Sequence, residues 1–307
     1  MLRERRIYRN GDFIGWEEAT VHLMSHSVAR GTTIFEVIRF DATERGPAVF
    51  RLHDHIARFE NSARLLAMRL PLDHDALCRA VAGTVARNGL KRGIVKLVGY
   101  HAAPKLDVLP PEGALDLAVF VLDPVADLGL LPFDFEAGVT AVVAETRKLD
   151  PRTVPVAAKA AAHYLNGMIA ALEARRRGAD LAVLLDPEGF LAEGPTESLF
   201  LVTGGALRTA PLGGVLDSIT RRSLLEVARH IGLEAREERM RPERLLEAEE
   251  VFFANTPFQV IPVRRIDGRE LPDAPGPVAR RLHEALQRIV SGREPAFASW
   301  LYPVPGS

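Results

Sequence analysis

The feature that most limits the fold of this chain is the alternation of strand-like and helix-like segments along its 307 residues. Near the start, the pair Asn10-Gly11 stands between two short runs and predicts a β-hairpin. Apolar residues recur at helical spacing over 53–70, and buried-strand patterns occupy 93–101 and 115–122. Between them, Asp73 is predicted to cap a second helix and Gly89 to end it. The alternation predicts a mixed α/β protein.

A break in this pattern divides the chain. Residues 123–134 form a stretch that contains proline and aspartate, which predicts an interdomain linker. We therefore expect one domain over 1–122 and a second over 135–307. In the second domain the patterns predict strands over 139–145, 181–186, 198–202 and 251–263, the last interrupted at Pro257, and helices over 163–177, 220–230 and 277–290.

Composition and charge exclude several classes of protein. Lys and Arg number 39 against 40 Asp and Glu, so no basic surface for nucleic acid is predicted. No apolar run reaches membrane-spanning length, and the polar, arginine-rich segment 1–12 is unlike a signal peptide. We expect a cytoplasmic protein without nucleic-acid or membrane partners. The single cysteine, Cys78, argues against a disulfide framework and a Cys-based zinc site, and we predict no metal site.

Lysine is scarce, which draws attention to the five positions where it occurs. Lys159 stands in the run Val154-Pro-Val-Ala-Ala-Lys-Ala-Ala-Ala-His-Tyr164, without an acidic neighbour in sequence. Burial would disfavour the charged form, and the neutral amine is the form that attacks carbonyl groups. The other interpretation is a solvent-exposed lysine on an alanine-rich helix. Lys91 and Lys148 are interpreted as ordinary surface residues.

Three other features are candidates for function, although each of them, taken alone, is more often structural. Arg58 lies near the start of a helix-like segment, and the Gly213-Gly214 loop leads into another helix, whose backbone N–H groups would attract phosphate. Glu193 is either a turn carboxylate or a partner for a ring nitrogen. Because neither G-x-x-x-x-G-K-[ST] nor G-x-G-x-x-G occurs, nucleotide phosphate loops are not supported.

Taken together, these residues resemble the fold-type IV pyridoxal-phosphate enzymes, the class IV aminotransferases, and among them the branched-chain amino acid aminotransferases. The resemblance runs from Asn10-Gly11 to about Asp267. It is carried by Val21 to His26, Ile34-Phe35-Glu36, Phe50 to His55 with Arg58, Pro155 to Lys159, Tyr164-Leu165, Glu193-Gly194 with Ser198-Leu199-Phe200, Ile219-Thr220-Arg221 and Ile261-Pro262-Val263.

The resemblance implies a fold, a cofactor and an activity. The fold would be a small N-terminal α/β domain followed by a larger C-terminal pseudo-barrel domain. The cofactor would be pyridoxal 5'-phosphate (PLP), used to move an amino group between an amino acid and a 2-oxo acid by a ping-pong mechanism. The resemblance also implies a homodimer, in which Arg30 and the loop around Lys105 would reach the partner's pocket.

The resemblance also assigns roles to individual residues. Lys159 would be the Schiff-base lysine and would shuttle the proton at the substrate Cα. Glu193 would bind the pyridinium nitrogen and Tyr164 the phenolic oxygen of the ring. The phosphate would be held by Arg58, Ile219, Thr220 and Thr256, with Leu216 packed against the ring.

The substrate pocket departs from the branched-chain pattern. Ile94 and Lys96 stand where a Tyr-x-Arg is expected, Arg30 replaces a tyrosine, and Val37 follows Phe35-Glu36 where a glycine is expected. Pro257, after Thr256, has no N–H to offer the substrate carboxylate. The substrate-binding residues are predicted to be Arg30, Phe35, Val37, Lys96, Lys105 and Pro257, and two interpretations of the pocket stay open.

In the first interpretation, Arg30 and Lys96 are solvated, and the pocket takes branched-chain L-amino acids through altered contacts. In the second, Arg30, with Lys96 or Lys105, holds the carboxylate elsewhere, and the enzyme accepts D-amino acids together with (R)-amines. A lyase similar to aminodeoxychorismate lyase, which also carries an asparagine like Asn255, is a further alternative. A non-catalytic relative that only binds the cofactor is the last.

Overall fold

The computed structural model describes residues 2–306 and contains two compact units. The first comprises Met1–Pro132, Ala158–Ala162 and Arg288–Ser307, and the second comprises Phe133–Ala157 and His163–Gln287. The boundary at Pro132 falls inside the predicted linker. The division differs from the predicted domains because the segment around Lys159 and the last residues of the chain belong to the first unit. The two units are nearly equal in length.

The strands that lie within residues 2–306 are numbered in chain order. They are β1 (Arg6–Arg9), β2 (Asp12–Gly15), β3 (Thr33–Thr43), β4 (Gly46–Phe50), β5 (Gly93–Tyr100), β6 (Asp116–Leu122), β7 (Val139–Arg147), β8 (Leu181–Leu185), β9 (Ser198–Thr203), β10 (Ala206–Thr209), β11 (Ala235–Glu237), β12 (Glu250–Ala254), β13 (Ile261–Ile266), β14 (Arg269–Glu270) and β15 (Leu301–Pro303).

The same part of the chain contains α-helices and short 3-10 helices. The α-helices are α1 (His26–Arg30), α2 (Leu52–Leu65), α3 (His74–Asn88), α4 (Pro124–Leu128), α5 (Tyr164–Arg176), α6 (Ile219–His230), α7 (Arg244–Glu247) and α8 (Pro277–Val290), and the 3-10 helices are Leu2–Glu4, Trp16–Glu18, Ala161–His163 and Pro295–Trp300. Over the described residues, none of the helices has the length and apolar character needed to cross a lipid bilayer.

Local sequence signals account for several element boundaries. Asp73 caps α3 by accepting a hydrogen bond from the Ala76 N–H, and Gly89 ends it in the left-handed region, so the predicted boundaries of this helix are confirmed. Helix α2 ends at Leu65, five residues before the predicted end, because Ala67 takes a positive φ of 51° that no helix continues through. Helix α4 lies within the predicted linker.

The first unit is built on a seven-stranded antiparallel sheet in the order β15-β4-β3-β5-β6-β1-β2. The predicted Asn10-Gly11 hairpin joins β1 and β2. Alternate residues of β3 face opposite sides of the sheet, as the pleat requires. Ile34, Ile38 and Phe40 are fully buried in a core shared with α2 and α3, while Phe35 and Val37 point to the other face and are half-buried.

The second unit contains an eight-stranded sheet in the order β11-β10-β9-β12-β13-β7-β8, with β14 paired to β13. The sheet is mixed, because β10–β11, β13–β7 and β7–β8 pair in parallel. The single interrupted strand predicted over 251–263 is two antiparallel strands, β12 and β13, joined by the turn that contains Pro257. The sheets and helices of the two units confirm the mixed α/β class.

Gly99 on β5 permits the close packing of the first unit's core. A Cβ atom there would lie 2.9 Å from Phe59 Cζ and 3.0 Å from Leu115 Cδ1. We predict that Gly99→Ala lowers the free energy of unfolding by about 1–3 kcal/mol, because the added methyl group overpacks the core. Gly83 in α3 has open space around its Cβ position and serves as the control. Gly83→Ala should raise the free energy of unfolding by about 0.5–1 kcal/mol, since alanine restricts the unfolded chain. Urea unfolding of both variants checks this, and equal stability would contradict it.

Candidate active site

The backbone of Lys159 is held on both sides within the first unit. Its N–H donates to the Ser62 hydroxyl of α2 at 2.9 Å, and its carbonyl accepts from the Phe35 N–H of β3 at 3.1 Å. Ala160 forms a β-bridge with Ile34. Lys159 lies between a segment of turns and bends and the short 3-10 helix and is half-buried, so the alternative of an exposed lysine on an alanine-rich helix is wrong.

The lysine side chain lies over an aromatic ring that it shares with a second cation. Lys159 Nζ is 5.0 Å and Lys96 Nζ is 5.2 Å from the centre of the Phe35 ring. Val37 is the direct cross-strand partner of Lys96 in the β3–β5 pair. The structure therefore brings four residues predicted for the site to one face of this sheet. Two ammonium groups on one ring place positive charge where an anionic substrate group would be attracted.

On the opposite face of β3, Glu36 forms a buried cluster with two side chains of α2. Its carboxylate accepts from Arg58 Nε at 2.8 Å, from Arg58 Nη2 at 2.6 Å and from His55 Nδ1 at 2.7 Å. Burial would raise the pKa of Glu36, but the charge and hydrogen bonds of Arg58, with the hydrogen bond of His55, outweigh it and lower the pKa to about 2. Burial also lowers the pKa of His55 despite the attraction of Glu36, so His55 donates as a neutral ring.

This cluster fixes the one predicted phosphate ligand of the first unit. Arg58 is 7% exposed, and its pairing with Glu36 sets the plane of the guanidinium. The position of Glu36, two residues before Ile38 in the core, follows from the alternation of β3. Ser62 accepts from Lys159 and donates to the Arg58 carbonyl at 2.9 Å, so it links the lysine to the arginine. The sequence reasoning assigned no role to Ser62, because a lone serine in a helix carries no local signal.

Arg30 and Lys105 both bind the backbone of the loop that follows β5. Arg30 Nη2 donates to the Leu106 carbonyl at 2.9 Å, and Lys105 Nζ donates to the Pro110 carbonyl at 3.1 Å. Arg30 is exposed and Lys105 half-buried. Three cations were predicted to hold the substrate carboxylate. Arg30 and Lys105 contact this loop, whereas Lys96 lies beside Lys159 at the Phe35 ring.

In the second unit, Glu193 pairs with a lysine that the sequence reasoning treated as an ordinary surface residue. Lys148 Nζ is 2.5 Å from Glu193 Oε1, and the side chains are only 17% and 8% exposed. The surface interpretation of Lys148 is therefore wrong. The residue follows the end of β7, and its N–H donates to the Leu185 carbonyl of β8, which fixes it beside Glu193. Each of these two buried charged groups therefore has a partner of opposite charge.

The backbone around Glu193 is packed tightly. The Leu216 nitrogen lies 3.4 Å from both carboxylate oxygens of Glu193. Leu216, which is predicted to pack against the cofactor ring, is therefore a neighbour of Glu193, which is predicted to bind the ring nitrogen. Gly194 has no room for a side chain, since a Cβ would meet Glu197 Oε2 at 2.8 Å. Helix α5, which begins at the half-buried Tyr164, approaches the same loop through Gly167, whose Cβ would lie 2.8 Å from the Pro195 carbonyl oxygen.

Glu197 is a second buried carboxylate near Glu193. Burial raises the pKa of Glu197, although its hydrogen bonds with Thr196 and Asn255 act in the opposite direction. The Asn255 side chain reaches it at 3.5 Å from the turn after β12. This turn also contains Thr256 and Pro257, both half-buried. Glu197 thus connects the loop of Glu193 to the turn of Thr256.

The start of α6 has the properties of a phosphate-binding helix end. Ser218 caps the helix by accepting from the Arg221 N–H, and Ile219 and Thr220 are its first two residues, both buried. The dipole and the N–H groups of a first turn favour an anion. An amine, a buried carboxylate, an arginine and a helix start are the donor set that a phosphorylated pyridine aldehyde requires, so the residues fit PLP.

Comparison with known proteins agrees with this chemistry. The family model of amino-transferase class IV matches residues 33–266. The branched-chain-amino-acid aminotransferase of Salmonella typhimurium is 34% identical over 301 residues, covering 97% of each chain.

Solved structures show the same relationship. The branched-chain amino acid aminotransferase of Thermobaculum terrenum in its PLP-form superposes with a TM-score of 0.91 at 31% identity, over 99% of this chain and 99% of that one. The branched-chain aminotransferase of Thermoproteus uzoniensis with norvaline gives 0.90 at 34% identity, over 98% and 99%. The chain therefore belongs to the class IV aminotransferases, which confirms the expected family, fold and enzyme class.

Proposed function

We propose that this PLP-dependent transaminase moves the amino group of a branched-chain L-amino acid to a 2-oxo acid by a ping-pong mechanism. The observation that carries the proposal is Lys159, whose backbone is bound by β3 and α2 and whose Nζ lies over Phe35. The relatives above are all branched-chain aminotransferases, which favours this substrate class over the D-amino acid and lyase alternatives. A cytoplasmic location stays a prediction of the sequence.

Lys159 is proposed as the residue that binds the cofactor covalently and moves the reacting proton. When bound, PLP supplies an aldehyde that condenses with amines and a ring that withdraws electrons from the substrate Cα. Lys159 Nζ would take the proton from the substrate Cα and return it to the cofactor side. The hydrogen bonds at both its N–H and its carbonyl hold the lysine backbone still, so that only the side chain moves.

The ring of the cofactor is proposed to be held by Glu193, Tyr164 and Leu216. Glu193 would accept from the ring nitrogen and keep it protonated, and Lys148 would orient this carboxylate through their ion pair. Tyr164 would donate to the phenolic oxygen. Leu216 would pack against the ring, consistent with its N–H beside Glu193.

The phosphate is proposed to bind Arg58, the N–H groups of Ile219 and Thr220, and the Thr256 hydroxyl. Glu36 and His55 position the Arg58 guanidinium from inside the core. The anchoring of Thr256 through Asn255 and Glu197 would hold the hydroxyl in place.

The substrate is proposed to lie at the Phe35 face. Phe35 and Val37 offer apolar surface for an aliphatic side chain, and Lys96 lies beside them at the edge of this surface. Arg30 and Lys105 would act through the loop whose carbonyls they bind. Pro257 would shape the pocket without donating a hydrogen bond. The remaining alternative, a D-amino acid and (R)-amine enzyme, would need one of these cations to hold the carboxylate elsewhere.

We further propose that the enzyme is a homodimer. Helix α5 presents an exposed apolar stripe at helical spacing, formed by Leu165, Met168, Ile169 and Leu172, each 44–60% exposed. In the first unit, the loop after β5 exposes Leu106, Val108 and Leu109. Contiguous exposed apolar residues typically mark a protein interface. The loop of Lys105, joined to Arg30, would complete the pocket of the partner subunit.

The substrate class can be tested by single half-reactions. We predict that L-valine, L-leucine and L-isoleucine each bleach the yellow absorbance of the purified holoenzyme without any acceptor, and that their D-enantiomers and (R)-amines do not. The reason is that a pocket with one carboxylate position presents only one enantiomer's Cα–H to Lys159. Bleaching by D-amino acids alone, or release of pyruvate from aminodeoxychorismate without an acceptor, would contradict the proposal.

The role of Lys148 can be tested by Lys148→Met. We predict a loss of about 1–3 kcal/mol in the free energy of unfolding, because the buried Glu193 carboxylate loses a charged hydrogen-bond partner. The half-reaction should also slow, since Glu193 is no longer oriented. Lys91→Met, at an exposed position, is the matched control and should change neither quantity. Denaturant unfolding and stopped-flow absorbance measure the two effects, and identical behaviour of both variants would refute the role.

The proposed dimer can be tested at the α5 stripe. We predict that the double variant Leu165→Glu with Ile169→Glu sediments as a monomer, or with a dissociation constant raised at least about tenfold, because charges interrupt an apolar contact. Leu246→Glu, at an equally exposed apolar residue of α7, is the control and should leave the dimer intact. Analytical ultracentrifugation of the holoenzyme decides the matter. A wild-type monomer, or dissociation by the control alone, would contradict the proposal.

A further inference from the structure

Three side chains that bind soft metal ions converge on the surface formed by α2 and α3. His53 is the second residue of α2, His74 is the first residue of α3, and Cys78 follows one turn later on the same face of α3. Their ligand atoms all lie within 4.8 Å of one another. His53 is exposed, His74 half-buried and Cys78 buried, so the cluster spans from solvent to the edge of the core. None of these residues has a role in the proposed reaction.

The spacing of the ligand atoms agrees with tetrahedral coordination. His53 Nδ1 is 3.0 Å from His74 Nε2, and Cys78 Sγ is 3.6 Å from His53 Nδ1. Around a tetrahedral zinc ion, the usual bond lengths put two nitrogens about 3.3 Å apart and a nitrogen and a sulfur about 3.6 Å apart. A small increase in the distance between His53 Nδ1 and His74 Nε2 would therefore admit the ion.

A carboxylate orients one of the imidazoles from outside. His74 Nδ1 lies 3.0 Å from Glu60 Oε2 of α2. The carboxylate accepts a hydrogen bond from Nδ1–H, which leaves a lone pair on Nε2, the nitrogen that lies 3.0 Å from His53 Nδ1. Metal-binding histidines in proteins are typically oriented by such a carboxylate. This contact is independent of the three ligand atoms and gives His74 the tautomer that a metal site needs.

The second imidazole is also held in place. The ring of His53 lies edge-on to Tyr302 of β15 at 5.4 Å and parallel to His74 at 5.3 Å between ring centres. Two imidazoles and a thiolate favour borderline or soft ions such as zinc over magnesium or calcium, which take oxygen ligands. The exposure of His53 leaves the fourth position to water.

We propose that His53, His74 and Cys78 form a zinc-binding site that joins α2 to α3. On binding, the sulfur–zinc bond replaces the sulfur–hydrogen bond, and the Cys78 proton passes to solvent. The sequence expectation of no metal site missed this cluster because its three ligands are separated along the chain and match none of the usual zinc spacings.

The proposal is tested by metal binding to the holoenzyme, without reference to transaminase activity. Dialysis against Zn²⁺ should load the cluster with one ion per chain and raise the unfolding temperature. Co²⁺ in place of zinc should give the intense ligand-field bands of a tetrahedral site, together with a sulfur-to-cobalt charge-transfer band. His74→Gln and Cys78→Ala should each weaken Zn²⁺ binding by at least about a hundredfold, since each deletes a ligand. Glu60→Gln should weaken it by about ten- to a hundredfold.

His22→Ala is the control, because His22 is an exposed histidine outside the cluster. It should bind zinc as the wild type does, and all variants should keep their transaminase activity, which shows that they fold. The proposal is overturned if the wild type binds no stoichiometric zinc, if Co²⁺ gives no sulfur charge-transfer band, or if His74→Gln and Cys78→Ala bind zinc as tightly as His22→Ala.

Discussion

The geometry of the candidate site depends on the way the backbone of Lys159 is bound. Its carbonyl accepts from β3 and its N–H donates to Ser62, so the residue is fixed at two points before its side chain makes any contact. A lysine side chain loses much conformational entropy when it is ordered. A fixed backbone lowers this loss, because fewer conformations of the residue remain to be excluded when the side chain takes its position. The Nζ position over Phe35 follows from this anchoring. A proton shuttle needs such a defined starting point.

Strand β3 separates two kinds of chemistry by its alternation. One face carries Glu36 into the core, where Arg58 and His55 compensate its charge, and the other face carries Phe35 and Val37 to the side of Lys159 and Lys96. A shift of one residue in the register of β3 would move Phe35 and Val37 into the core and Glu36 out of it. In the observed register Glu36 depends on its partners, because a buried carboxylate without partners is costly. The Glu36 cluster thus stabilises the register that presents the reactive face, and it holds Arg58 at the same time.

The sequence predicted those features that have local signals. The hairpin at Asn10-Gly11 and the capped helix α3 were accessible from short patterns. The proposed role of Lys159 came from the family resemblance and stays a prediction. The pairing of Lys148 with Glu193 was not accessible from short patterns, because the two residues lie on different elements and the contact depends on how the strands align. Ser62 and the histidines of the α2–α3 cluster act through contacts with residues far along the chain, which form only in the folded unit. The sequence also did not predict that the Lys159 segment and the C-terminal residues pack with the first unit. The order of helices and strands along the chain does not show which unit a segment joins.

The central claim is that Lys159, alone among the five lysines, binds the cofactor covalently. Borohydride reduction of the yellow holoenzyme, followed by proteolysis and mass spectrometry of the peptides, measures this directly. We predict a phosphopyridoxyl group on the peptide that contains Lys159 and on no other, with no labelling in Lys159→Ala. A label on Lys96 or Lys148, or an unlabelled wild-type chain that still catalyses transamination, would contradict the claim.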